Sequence, residues 1–141
     1  MKKLFIIILG FMSTFSLLAE DIVIDMLNKR DDGQRMVYSE DLVKISVGDT
    51  VKWLPKDPGH NVEFVAGPDG FELPAKSYIN REVSVKFEIP GIYLYVCSPH
   101  SIMGMIGLIV VGDDISNKIN IAEFDIGGKA NRKLKALLKT L

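Results

Sequence analysis

Between Ile22 and Val111 apolar and polar residues alternate over short runs, the period of half-buried β-strands. The runs predict strands over 22–27, 37–38, 42–46, 50–54, 61–65, 82–88, 93–97 and 106–111. The alternation of Val83, Val85 and Phe87 is the clearest of them. Val47-Gly48-Asp49-Thr50 reads as a hairpin turn, Ile89-Pro90-Gly91 turns one strand into the next, and Gly67-Pro68-Asp69-Gly70 marks a loop. Eight short strands at this spacing predict an all-β sandwich or barrel. Past Gly112 the period becomes helical, with helices expected over 115–124 and 129–141 and a break at Gly127-Gly128. Leu134, Leu137, Leu138 and Leu141 fall on one side of the second helix, a stripe expected to pack on the domain's own sheet.

The first nineteen residues have a different character. Met1-Lys2-Lys3, an apolar run from Leu4 to Leu18, small Ala19 and acidic Glu20-Asp21 form a secretory signal peptide with cleavage expected after Ala19. Residues 20–141 then form one domain, a β-sandwich over 20–112 followed by C-terminal helices over 113–141. No later apolar stretch is long enough to insert in a membrane. Loss of Lys2 and Lys3 leaves 15 basic against 18 acidic residues, a balance that argues against a nucleic-acid partner.

An exported chain with a single cysteine, Cys97, has no internal disulfide, so its thiol needs another explanation. The only two histidines are His60 and His100. Tyr95 to Met105 lies between two predicted strands, which brings Cys97, His100 and Met105 to one end of the sheet. His60 follows Pro58-Gly59 at the head of another strand. A thiolate, two imidazoles and a weak thioether are the donor set of a blue-copper electron-transfer site. Zinc favours more thiolates or carboxylates, iron–sulfur clusters need several cysteines, and haem attachment needs Cys-x-x-Cys-His. A lone histidine before a strand is ordinarily a surface residue and a methionine beside one is ordinarily core. Their conjunction around one cysteine points to a metal.

In Met26-Leu27-Asn28-Lys29, Met36-Val37, Val47-Gly48-Asp49-Thr50-Val51, Gly59-His60-Asn61-Val62-Glu63 and Cys97-Ser98-Pro99-His100 with Met103-Gly104-Met105, the chain resembles the cupredoxin family, and within it the pseudoazurins. The resemblance implies a Greek-key β-sandwich with two short C-terminal helices and one type 1 copper. His60, Cys97 and His100 match the equatorial ligands. Met103 and Met105 are both near enough for the axial place, and the family position falls on Met105. Asn61 stands where the family ties its two ligand loops together. Pro99 lacks the N–H that another residue there would offer the sulfur. His100 would sit at the solvent edge inside an apolar collar of Pro99, Ile102, Met103 and Met36. Pro58 and Val96 fall where lysine is frequent in the family, although Lys29, Lys56 and Lys76 remain.

The function so implied is a monomeric periplasmic carrier moving single electrons between redox proteins such as a c-type cytochrome and a nitrogen-oxide reductase, copper nitrite reductase among them. The alternative is a periplasmic copper carrier or storage protein, which would favour methionine- or histidine-rich tracts that this chain lacks. A copper enzyme would need further histidines, and none is left after His60 and His100.

Overall fold

Strand β1 (Asp21–Lys29) opens the computed structural model, which describes residues 21–141; the leader expected over 1–19 lies outside them. There follow β2 (Arg35–Tyr38), β3 (Leu42–Ile45), β4 (Thr50–Leu54), β5 (Glu63–Ala66), β6 (Val83–Lys86), β7 (Gly91–Val96) and β8 (Ile106–Val111), then α1 (Lys118–Ala122) and α2 (Gly128–Leu138). Two four-stranded sheets, ordered β2-β1-β4-β6 and β3-β8-β7-β5, face each other across the core. The β1–β4 and β3–β8 pairs are parallel and all the others antiparallel. All eight predicted strands are present in this sandwich, with ends shifted by a few residues.

One turn does something other than expected. Val47-Gly48-Asp49 does not close a hairpin, because β3 pairs with β8 in one sheet while β4 pairs with β1 and β6 in the other. Ile89-Pro90-Gly91 likewise carries the chain from β6 in the first sheet to β7 in the second. Turn chemistry dictates that the chain reverses, and the destination is set by which sheet buries the next apolar face.

Period-two alternation in β7 and β8 explains how the site is aimed. Tyr93, Tyr95, Cys97, Met105, Ile109 and Val111 face the inter-sheet core around Trp53, Phe64 and Phe87. Ile92, Leu94, Val96, Ile106, Leu108 and Val110 face the other way, against Ala130, Leu134 and Leu138 of α2 and Ile121 of α1. Every residue of both strands is therefore buried, the pattern of a sheet covered on both faces. The leucine stripe of α2 packs on the domain's own sheet, as its spacing predicts. Val96 is buried in the cluster that the two helices cover.

Candidate metal centre

The β7–β8 ladder ends at Val96 opposite Ile106, and one more bond, Cys97 N–H to the Met105 carbonyl at 2.9 Å, extends it. Cys97 and Met105 thus stand across from each other on the inner face, where cross-strand side chains touch. Between them a single 3₁₀ turn, Ser98–Met103, starts with Pro99 in its first positions and ends at Gly104 with φ 100°. Proline fits the unbonded start of such a turn and glycine its left-handed end. The turn swings His100 back over the sulfur.

His60 Nδ1 lies 3.1 Å from His100 Nδ1, and Cys97 Sγ lies 3.7 Å from the first and 3.5 Å from the second. The point equidistant from the three atoms is about 2 Å from each, the range of metal–nitrogen and metal–thiolate bonds. Three lone pairs facing one another at this range repel unless a proton or a cation lies between them. The donors are soft or borderline, which suits a copper ion. His60 and Cys97 are wholly buried and His100 is half-buried. Met105 is 0 % exposed and directly across from Cys97, whereas Met103 is 48 % exposed on the outer side of the turn.

Burial pushes the Cys97 thiol above its ordinary range, while the nearby backbone N–H groups of Asn61 and His100 act in the opposite direction. Both imidazoles are pushed down, each chiefly by burial, His60 additionally by the charge of His100. Each shift favours the uncharged form, and metal binding needs unprotonated rings and takes the proton from the thiol.

The donors are held by a hydrogen-bonded frame. Asn61 Oδ1 accepts the Ser98 N–H at 2.8 Å and its Nδ2 donates to Ser98 Oγ at 2.9 Å, so Asn61 joins the two ligand loops where the resemblance implies it should. Ser98 Oγ donates onward to Glu63 at 2.6 Å. Asn28 Oδ1 lies 3.0 Å from His60 Nε2, which puts the ring proton on Nε2 and leaves Nδ1 free to bind. Asn28 is itself held by its N–H to Asp57 at 2.7 Å. Gly59 N–H donates to Asn80 Oδ1, and the buried Tyr38 hydroxyl donates to the Asn61 carbonyl. Sequence reading gave no role to Asn28, Asn80, Glu63 or Ser98. Asn28 sits inside the Met26-Leu27-Asn28-Lys29 motif, but nothing local to it signals a partner 32 positions away.

Of the residues expected to form a collar at His100, Pro99, Ile102 and Met103 are exposed, while Met36 is packed against the core. Lys29, Lys56 and Lys76 are exposed.

Residues 24–112 match the family described as "Copper binding proteins, plastocyanin/azurin family". A pseudoazurin of Methylorubrum extorquens is 41% identical over 107 residues, 74% of this chain and 71% of that one. A pseudoazurin of Paracoccus pantotrophus is 36% identical over 117 residues, 82% of this chain and 79% of its own. Among solved structures, native pseudoazurin from Hyphomicrobium denitrificans superposes with a TM-score of 0.80 at 35% identity, covering 86% of this chain and 98% of that one. Sequence match, sandwich topology and a His-Cys-His triangle agree, and the chain belongs to the plastocyanin/azurin family of copper-binding proteins, the cupredoxins, and is similar to pseudoazurins over most of its length.

Proposed function

We propose that this protein is an exported one-electron carrier whose copper is held by His60, Cys97 and His100, with Met105 as a weak fourth donor. The observation that carries the reading is the convergence of three donors, two wholly buried and one half-buried, within 3.7 Å of one another directly across a strand pair from a fully buried thioether. Copper bound there supplies a Cu(II)/Cu(I) couple. The chain's own part is to hold its donors still: Asn28 orients one ring, Asn61 locks the loops together, and the sandwich excludes water from the sulfur.

Electrons would enter and leave at the His100 edge, flanked by Ile102 at 63 % exposure and by Met103. A small apolar surface of this kind supports brief docking. A c-type cytochrome as donor and a copper nitrite reductase as acceptor fit this role, with the protein acting as a periplasmic monomer after removal of residues 1–19. An electron-carrying role rather than catalysis is supported by the use of both histidines and the lone cysteine at one site.

The test is an optical and EPR spectrum of the copper-loaded protein, expected to show an intense visible thiolate-to-copper band. A spectrum without that band overturns the reading. Ile102→Glu is expected to slow electron exchange with a reduced c-type cytochrome about tenfold, equivalent to ~1.4 kcal/mol, with the visible spectrum unchanged.

A further inference from the structure

Helix α2 touches the metal-ligand loop at two places to which the electron-carrier reading gives no role. Lys133 Nζ donates to the Gly104 carbonyl at 3.2 Å and pairs with Asp41 Oδ1 at 2.5 Å. The two paired side chains are only 15% and 18% exposed, so solvent screens them little. Arg30 holds the other Asp41 oxygen at 3.1 Å and also reaches the Tyr38 carbonyl, and the Asp41 carbonyl accepts the Leu108 N–H of β8. Lys133 is thereby anchored to β8 and to the end of β2. The second place is Gly128, the first residue of α2, with φ +57°, where a Cβ would collide with the Ile102 carbonyl.

Bonds inside the loop fix its shape: His100 N–H to the Cys97 carbonyl, Gly104 N–H to Ser101, Met105 N–H to His100 and Cys97 N–H to Met105. None of them fixes how the loop sits on the rest of the molecule. At its Ser98 end that is done by Asn61 and Glu63, and at its Gly104 end the carbonyl is shared by the Ile106 N–H of β8 at 3.0 Å and by Lys133 at 3.2 Å, Lys133 being its tie to α2. A weak, long thioether bond exerts little hold of its own, so the scaffold must place the sulfur of Met105, the residue after Gly104. We propose that α2 is a positioning element for the ligand loop, Lys133 fixing the Gly104 carbonyl and Gly128 seating Ile102, so that the helix sets the placement of Met105 and His100. This inference rests on the reading that His60, Cys97, His100 and Met105 hold copper.

The experiment compares copper-loaded Lys133→Met with the unmutated protein by visible band ratio, EPR hyperfine splitting and reduction potential, recording thermal midpoints alongside. All three spectroscopic and redox readouts are expected to shift, with copper affinity falling roughly tenfold, the lower end for losing a group that orients a ligand. Lys133→Arg is expected to restore them, and Lys135→Met, on the exposed side of the same helix, to leave them untouched. A Lys133→Met protein that melts earlier yet keeps the unmutated band ratio, splitting and potential overturns the proposal. If that variant does not fold, Gly128→Ala decides: a changed band ratio supports the proposal and an unchanged one overturns it. Failure of the copper reading is distinguishable, because the unmutated protein would then lack the visible band, and the inference would fall with it.

Discussion

The loop carrying Cys97, His100 and Met105 closes on itself within one turn of 3₁₀ helix, whereas the His60 loop is held by partners 21 to 32 positions away in the chain. The first is a local device: two paired strands, a proline to start the turn and a glycine to end it. The second depends on the finished sandwich, since Asn28 on β1, Tyr38 on β2 and Asn80 ahead of β6 reach it only after the sheets have formed. One half of the triangle is thus preset by short-range bonds, and the other measures whether the whole domain is intact.

The sharpest way to break that comparison is to remove the sulfur and keep its turn. Cys97→Ser leaves the β7–β8 pairing and the Gly104 end in place, so circular dichroism is expected to report an unchanged fold. The visible band should vanish outright, because it originates in the thiolate. A Cys97→Ser protein that still shows an intense visible band would mean that the sulfur is not the donor.

Next in size is a cut between the two loops. Asn61→Ala removes the acceptor of the Ser98 N–H and the donor to Ser98 Oγ. Leaving a buried group unpaired costs about 1–3 kcal/mol, so a fall of ~2 kcal/mol in unfolding free energy by urea titration is expected. Copper affinity should drop by roughly 10- to 100-fold. A variant that loses stability but binds copper as before would show that the His60 half needs no tie to the Cys97 half.

The same contrast explains what the sequence made legible. Strand parity places Cys97 and Met105 on one face of an antiparallel pair, and three-residue spacing brings His100 over them, so that half could be read locally. The resemblance marked Asn61 as a tie between loops, and its bonds to Ser98 are present. Asn28 and Asn80 were not readable, since their partners are fixed by a parallel β1–β4 crossing and a long loop that no periodicity encodes. Val96 shows what alternation leaves open: parity gives it an outward direction, and only the packing of the helices decides that this outer face is buried. The turn at Val47-Gly48-Asp49 was misread for a related reason, because a reversal signal carries no information about which sheet receives the next strand.

A smaller effect sharpens the local half. Cys97 occupies the N-cap of the 3₁₀ turn and Pro99 one of its first positions, where a cap side chain ordinarily receives a backbone N–H. Pro99 has none, which leaves the thiolate more electron-donating. Pro99→Ala supplies the missing donor and is expected to raise the reduction potential. About 1 kcal/mol of preferential stabilisation of the reduced form corresponds to ~40 mV for one electron. Voltammetry giving an equal or lower potential would contradict it.

The smallest effect sharpens the long-range half and needs no substitution. In the metal-free protein both imidazoles are pushed below the ordinary value of 6.5, each chiefly by burial and His60 also by the charge of His100. As pH falls through 6.5 the unfolded chain takes up protons that the folded chain refuses, so unfolding becomes easier. The loss grows until pH has passed the lowered folded values, and above neutrality it is absent. The chain has two histidines, both in this site, and no other side chain has its unperturbed titration in that window. The urea midpoint of metal-free protein should therefore decline between about pH 7 and about pH 5. Copper-loaded protein should hold its midpoint over the upper part of that range, because a bound metal keeps the rings unprotonated until protons compete it away. His60→Gln should remove more of the metal-free decline than the same change at His100, since His60 is the wholly buried ring and the half-buried His100 already meets water. Equal declines in both variants would mean that the two rings are desolvated alike, and the distinction between a local loop at the surface and a long-range loop in the interior would lose its electrostatic content.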